Sequence, residues 1–588
     1  MLSNANGAEK EDAKMRGPNA GRRLPMVRWY NPVLLLIAGI RAALTTTIGR
    51  ITDNRELQAA LSPIEDDGTY GVFDYSNGHA ASDQAGSASA QDGIWLDYVA
   101  DLGDGYKPTF AVAEAVAREC LDHGGAPTQR AKILVMGGDE VYPDPFNNAY
   151  EERLMAVYRE ACEKHGEFEA DLFAIPGNHD WYDGLREFSD LFCTGGETYA
   201  SQQEHTFGAW KTKQDRSYFA IELPGDWWLC GVDVQLDTRL NSSQLRYFED
   251  VARHAMQTGA KVILCAATPN WATSLERPVK DPLLDQIARI FEPQGKSVRL
   301  ILAGDIHHYS RYQPMDEGPV LITSGGGGAF LHPTHQLAQT TRINWDEQER
   351  EYCQEKTFPS ASKSHQLTYR NLLFPLLNPE FSLLIGLIYT IMTWFLETRR
   401  QLVTNPLDTF MANMVGDYST IPQALDNFFS AIPKSPEFAA LVVGLHIGLL
   451  LFNGSGHWLV RHSLAILHSL AHFLALTTAF CLAALMCPML PLGNVDPLIS
   501  FAVFFTIVLV AGSLLGGLVF GSFLTLTLNI FGLQYNNAFS SLRIADYKNF
   551  MRLHIDRSGT LTVYPFGIER ASTSISEPVP IEAPIVID

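Results

Sequence analysis

Between Ile94 and about Gly328, short apolar runs of strand length alternate with stretches whose apolar residues recur at helical spacing. Four of the runs, WLDYVA, KILVMG, DLFAIP and VRLILA, read as buried strands. Lys107 to Leu121 is amphipathic and separates the first run from the second, and Glu151 to His165 separates the second from the third. That order predicts two βαβ units with right-handed crossovers. Further strands are predicted at Ser217–Leu223, Trp227–Val232, Val262–Ala266, Val298–Leu302 and Val320–Thr323, with a turn at Gly325–Gly328. Residues 94–340 are therefore read as one α/β domain, and the charged stretch 341–378 as a linker.

The pattern changes after Asn378. Charge-free runs follow at Phe381–Leu396 (about 16 residues), Phe438–Val460 (roughly 23), Ser463–Cys487 (roughly 25) and Leu498–Phe531 (about 34). Their succession predicts about four membrane spans within 379–535, against the alternative of a large buried helical core. His446, His457, His462, His468 and His472 lie in or beside these runs and read as neutral histidines satisfied by a neighbouring helix carbonyl. Beyond them MRLHID and TLTVYPF, joined by Arg557-Ser558-Gly559, predict a hairpin in a small β tail, 540–570, with a loose C-terminus at 571–588. At the other end, 1–25 reads as disordered and 26–93 as a helical and flexible region. Within it, Ser76–Gly93 reads as a flexible insert, and Pro32–Ile40 as an interfacial or a buried helix.

A chain of 588 residues is too long for one core. Its net charge of −21 argues against non-specific nucleic-acid binding, which needs a basic surface. It does not oppose a phosphate substrate, because bound cations reverse the local field. The eight cysteines include no CxxC pair and read as buried free thiols of a reducing compartment. Met1–Gly21 is polar and mixed in charge, unlike a secretory signal.

Each of the four strand-like runs leads at once into a polar cluster. These hold Asp101 in DLGDG, Asp139 in GGDEVYP, Asn178 and His179 in GNHD, and Asp305, His307 and His308 in GDIHH. Parallel α/β sheets bind ligands at the carboxyl ends of their strands, so these side chains are expected on one rim. Oxygen donors mixed with imidazole suit Zn, Mn or Fe better than Ca. Two such ions about 3.5–4 Å apart can neutralise a phosphate ester and generate the nucleophile that attacks it. Asp139, central in the strand order, is the candidate bridging carboxylate.

In Asp101-Leu102-Gly103, Gly138-Asp139-Glu140-Val141-Tyr142 and Gly177-Asn178-His179-Asp180, the chain resembles the calcineurin-like metallophosphoesterases. Within them it is most similar to the purple-acid-phosphatase pattern DxG, GDxxY, GNH[DE], GHxH. The matched region runs from about Ile94 to His335, and the added membrane half resembles that of large membrane-attached bacterial members. The resemblance implies a two-sheet αββα sandwich, followed here by an α-helical transmembrane region and the small β C-terminal segment. It implies that Asp101, Asp139, Tyr142 and His307 hold a first metal ion, and Asp139 and Asn178 a second. It further implies that His179, oriented by Asp180, acts on the phosphoryl group or the leaving oxygen while a metal-activated hydroxide attacks in line.

The chain departs from the family at several motif positions. Gly103 stands where the first motif often carries His, so Tyr142, or failing it Asp104, is the expected replacement ligand. The segment VILCAATPN has no His, leaving Asn270 or Thr268 as substitutes. The last motif reads Gly304-Asp305-Ile306-His307, which makes Asp305 an oxygen ligand in place of imidazole. His308, as a ligand or an outer hydrogen-bond donor, and His332 and His335 are further candidates. The second ion is therefore expected to be weakly held or differently chosen. Taken singly, Asp101 or Asp139 is better explained as a helix N-cap or turn former, so the ordered set carries the reading.

The sequence thus predicts a membrane-attached, metal-dependent phosphoesterase acting on a lipid-linked or membrane-proximal phosphate ester, with no nucleic-acid partner. The alternative is a catalytically degenerate metal-binding domain that senses or regulates for the membrane half. An even span count puts tail and catalytic domain on one side. Arg370, Arg543, Lys548 and Arg552 flank that side and predict the cytoplasm, with Arg399 and Arg400 opposing.

Overall fold

The computed structural model describes residues 23–48, 71–77, 93–193, 206–234, 239–274, 278–400, 420–453, 458–490 and 497–588. The expected disorder of 1–22, most of the flexible insert and His457 lie outside the described residues. The chain divides into two compact units: Met1–Val27 with Ala38–Ser364 and Arg543–Asp588, and Arg28–Ile37 with His365–Leu542.

In the first unit the early strands are β1 (Val72–Asp74), β2 (Ile94–Val99), a hairpin of β3 (Cys120–His123) and β4 (Ala126–Gln129), β5 (Ile133–Met136) and β6 (Ala170–Ala174). Next come β7 (Thr206–Phe207), β8 (Trp210–Thr212), β9 (Phe219–Leu223), β10 (Trp227–Gly231), β11 (Lys261–Ala266) and β12 (Ser297–Ala303). They are followed by β13 (Tyr309–Pro314), β14 (Val320–Ser324), β15 (Thr340–Trp345) and β16 (Gln348–Phe358). After the helical region come β17 (Lys548–Ile555), β18 (Leu561–Ile568), β19 (Val579–Pro580) and β20 (Ile585–Ile587). One sheet has the order β1-β9-β10-β11-β12-β14-β13-β16-β15, and the other β19-β18-β17-β2-β5-β6-β8-β7, with β20 on β18.

The layering follows from strand periodicity. Ile94, Leu96 and Tyr98 of β2 face an inter-sheet core shared with Leu229, Ile263, Leu300 and Leu302 of the other sheet. Val99 takes the opposite face and joins Phe110, Val116 and Val157 of the covering helices. The helices Ser242–Asp250 and Pro282–Phe291 cover the other sheet through Tyr247, Phe248, Leu284 and Ile287. The result is the expected αββα sandwich. The predicted βαβ units are present: β2, β5 and β6 pair in parallel, with Tyr106–Ala117 and Ala156–Cys162 as crossovers.

Three expectations of sequence are corrected in this unit. The charged stretch 341–378 is not a plain linker, because β15 and β16 complete the first sheet, burying Thr341, Ile343 and Trp345 on alternate positions while Thr340 and Arg342 face water. The tail is not a separate β segment with a loose end. The strand β17 pairs antiparallel with β2 in the second sheet, and β19 and β20 both pair with β18. Residues 23–25 are tied down, since Arg23 pairs with Glu160 at 2.8 Å and the Leu24 carbonyl accepts from the Tyr106 amide.

In the second unit the helices Pro379–Thr398, Trp458–Met489 and Leu498–Phe531 are long and apolar enough to cross a membrane. The first and last of them approach closely through small residues. A Cβ at Gly386 would come within 2.2 Å of Ser513 Oγ, and one at Gly516 within 2.4 Å of Ile385. The predicted span Phe438–Val460 is corrected: the helix Pro436–Phe452 ends at Asn453, and a new helix opens at Trp458. That shorter helix is bent by 91° against Ile421–Lys434. The histidines also differ from expectation. His472 and His446 pair with the hydroxyls of Tyr389 (2.7 Å) and Ser469 (3.0 Å), and His462 with the Trp458 carbonyl of its own helix. His468 stacks on Phe523 at 3.8 Å. The helix Pro32–Ile48 is not buried at its apolar start, where Val33, Leu36 and Ile40 are exposed.

The β2–β17 pairing carries a buried ion pair. Arg552 and Asp97 are directly opposite in register, and the guanidinium donates to both carboxylate oxygens at 2.8 and 3.2 Å. Neither residue reaches water. Replacing Arg552 by Met strands the Asp97 charge and is expected to destabilise the sandwich by about 3–5 kcal/mol. Denaturant unfolding of the full chain in detergent measures this, and an unchanged midpoint would contradict it.

Candidate metal and phosphate site

Three acidic residues leave their strands in the left-handed backbone region: Asp101 after β2 (φ 60°), Asp139 after β5 (φ 53°) and Asp305 after β12 (φ 63°). Asp tolerates this conformation better than most side chains, at some cost, and such strain collects at functional sites. The turns are locked to each other. The Asp101 amide donates to the Gly138 carbonyl at 2.9 Å, and the Leu102 amide to the Asp139 carbonyl at 2.8 Å. Close glycines let them meet: a Cβ at Gly177 would lie 2.0 Å from Asp139 Oδ1, and one at Gly325 lies 2.3 Å from Asp101 Oδ2. The Gly325–Gly328 turn therefore packs against the site's floor.

The site converges on the buried hydroxyl of Tyr142. It lies 3.0 Å from Asp101 Oδ1, 3.1 Å from Asp139 Oδ2 and 3.0 Å from His307 Nε2. His307 Nδ1 donates to the Phe330 carbonyl at 2.7 Å, which leaves Nε2 as an acceptor. Three acceptors thus surround one phenolic proton. Asp101 Oδ2 is also buried and has no hydrogen-bond partner. This arrangement is short of positive charge, and a cation or extra protons must make up the deficit.

The carboxyls respond accordingly. Burial, then Asp139 and Asp305, push the Asp101 carboxyl well above its usual range. Burial and Asp180 raise Asp139, and burial with Asp139 raises Asp305 to about 7. The rings move the other way: burial lowers His179, and burial with His332 and Lys548 lowers His307, so both favour the neutral form.

Asp101, Asp139, Tyr142 and His307 therefore come together, and their oxygen and imidazole donors are of the kind that suits a first ion. Asp305 borders them, its amide donating to Asp101 Oδ1 at 3.1 Å. Asn178 follows β6 but is exposed, with its side chain against Tyr182. Among the described residues no group of three or more His, Cys, Asp or Glu side chains forms a ligand set by itself. Among the described residues no second set is assembled around Asn178.

Several expected participants have other work. Both oxygens of Asp104 accept backbone amides, from Val27 at 3.0 Å and Phe330 at 3.1 Å, so it ties segments together rather than facing the site. Asn270 donates to Asp281 at 2.9 Å, and Asp281 caps the helix Pro282–Phe291. His308 is fully buried and makes no hydrogen bond to the acidic residues. His335 pairs with Ser364 at 2.9 Å, and His332 stacks on His307 at 4.1 Å. The ring of His179 is oriented by the Pro143 carbonyl, 2.7 Å from Nδ1. Asp180, expected in that role, accepts instead from the Gly177 amide (2.8 Å), the Glu140 amide (3.3 Å) and the Tyr150 hydroxyl (2.6 Å).

Sequence reasoning missed Glu140, Lys548 and Asn549. Glu140 is buried beside Asp180, its carboxyl raised by burial and by that neighbour. Its place directly after Asp139 was the available signal. Lys548 and Asn549 open β17: Lys548 donates to the Ala329 carbonyl, and Asn549 Oδ1 accepts from Ser324 Oγ (2.8 Å) and the Gly326 amide (3.3 Å). They fix the glycine turn from a segment more than 200 residues away, for which the sequence holds no local signal.

Residues 96–309 match the family model of the calcineurin-like phosphoesterases. Over this segment the chain is similar to the calcineurin-like phosphoesterases. Its matched part ends at the start of β13, so the strands β14–β20 extend the phosphoesterase sandwich beyond it. Among solved structures, the purple acid phosphatase PPD1 from yellow lupin (Lupinus luteus) seeds is similar at 14% identity and a TM-score of 0.28. The similarity covers 45% of this chain and 48% of that one, about half its length. A likeness of that size carries no weight for the site. No curated protein sequence matches the chain.

A ligand carboxylate must lose its proton to bind a cation. Because the carboxyls of Asp101, Asp139 and Asp305 hold protons to higher pH than usual, Mn²⁺ or Zn²⁺ affinity is expected to climb between about pH 6 and about pH 8. Proton release on metal addition in weak buffer reports the same linkage. Affinity that is flat across this range, with no proton released, would contradict it.

Proposed function

We propose that this chain is a membrane-attached, metal-dependent phosphoesterase. The observation that carries the reading is the Tyr142 hydroxyl, ringed by Asp101, Asp139 and His307 at the ends of β2, β5 and β12. A cation held by these residues would neutralise phosphate charge and supply Lewis-acid chemistry at the scissile P–O bond, with Zn, Mn or Fe the best match to the donors. His179 sits at the same rim, with its backbone amide on Asp139 Oδ1 at 2.8 Å. Its Nδ1–H is committed to Pro143, so Nε2 is the atom that gains a proton. An anionic phosphoryl group beside the ring favours the imidazolium, which then donates to the leaving oxygen. Asp180 keeps the Gly177–His179 turn and the Glu140 amide in place, and so positions His179 without touching the reacting atoms.

Apolar helices in the same chain favour a lipid-linked or membrane-proximal phosphate ester. The cytoplasmic side is favoured by thiols, since all eight cysteines are free. Charge adds less than expected, because Lys548 and Arg552 are buried inside the sandwich and do not flank a span. A second reading, a metal-binding sensor or regulatory domain, is favoured by the commitment of Asn270 to Asp281 and the exposure of Asn178.

Hydrolysis of a p-nitrophenyl phosphate monoester and a bis-ester, with Mn, Zn or Fe supplied to the full chain in detergent, separates the two. The enzyme reading expects turnover that falls at least about 100-fold in both Asp139→Asn and His179→Ala. Metal content should fall only in Asp139→Asn. Phosphate binding without turnover under every metal would favour the sensor, and equal metal loss in both variants would contradict the role given to His179.

A further inference from the structure

The strands β2 and β17 lie side by side in one sheet, in register from Ile94↔Ile555 to Tyr98↔Met551. Between them the chain leaves the sandwich after Ser364 and re-enters it at Arg543. A hydrogen-bonded sheet with a charged pair in its core folds in water, so both ends of the excursion lie on one side of any membrane. The number of crossings between them must then be even. Yet among the described residues there, three helices are long and apolar enough to span individually.

We propose that the bent pair Ile421–Lys434 and Pro436–Phe452 supplies the missing crossing, so that the helical unit traverses the bilayer four times. This rests on the membrane reading given above and adds the topology. Pro436–Phe452 has 17 residues, at the lower limit of about 17 for a span. Residues 438–452 include no Asp, Glu, Lys or Arg. Val443, Ile447 and Leu451 are exposed at a four-residue spacing, which gives the helix a continuous apolar face suited to acyl chains. The preceding helix, turned 91° away, buries Ala424, Phe428 and Ala431 along one side while Ile421 and Phe429 are exposed, the pattern of a helix lying along the interface. Ser435 caps the crossing helix at the bend, its hydroxyl accepting from the Phe438 amide at 3.4 Å.

The alternative is a re-entrant pair that returns to the side it came from. Site-directed labelling of the full chain in sealed vesicles decides between them. The probes are Ile421→Cys, Trp458→Cys and Met489→Cys, all at exposed positions, with the native exposed Cys120 of the sandwich as reference. Modification by a membrane-impermeant maleimide is read peptide by peptide. Four crossings predict that position 458 labels from the same side as Cys120, and positions 421 and 489 from the opposite side. Position 458 labelling opposite Cys120, or 421 labelling with it, overturns the proposal. If every probe labels together with Cys120 and the protein is released without detergent, the membrane reading itself fails.

Discussion

Three hydrogen-bond acceptors around one phenolic proton is the constraint on which the rest of the site depends. Asp101, Asp139 and His307 cannot all be satisfied by Tyr142, and Asp101 Oδ2 has no partner at all. Buried polar groups in folded proteins are rarely left this way unless something else completes them. The surrounding structure holds the deficit in place. Left-handed turns aim the carboxylates, crowding at Gly177 and Gly325 prevents them from spreading, and the Phe330 carbonyl fixes the imidazole tautomer. The cation proposed above would relieve this deficit.

The site also depends on chain segments remote from it in sequence. The glycine turn under Asp101 is fastened by Lys548 and Asn549, which reach the sandwich only after the helical region has been threaded. The Asp97–Arg552 pair ties the same strand β17 to β2 in the interior of the sheet. The sandwich is therefore interrupted, not followed, by the helices, and the matched segment 96–309 lacks strands that its own sheets require.

What the sequence revealed and what it hid divide along contact range. The strands before Asp101, Asp139, Asn178 and Asp305 were legible because apolar runs and the residues after them are local patterns. Asp104 and Asn270 were misjudged because their partners, Val27, Phe330 and Asp281, are set by tertiary packing. Polar and charged residues disguised β15, whose buried Thr341, Ile343 and Trp345 alternate with Thr340, Arg342 and Asn344, and β16, in which Tyr352 alone is buried. Counting charges also fused two helices into one span, although Asn453-Gly454-Ser455-Gly456 carries turn-forming residues between them. The partnership of β17 with β2 had no local trace.

The central claim is that Asp101, Asp139, Tyr142 and His307 form one cation-binding centre. An experimental structure of the full chain soaked in Mn²⁺, with anomalous scattering recorded at the manganese edge, tests it most directly. The account predicts an anomalous peak within about 2–2.5 Å of the carboxylate oxygens of Asp101 and Asp139 and of His307 Nε2. A saturating soak with no peak there, or with manganese bound only elsewhere, would contradict it.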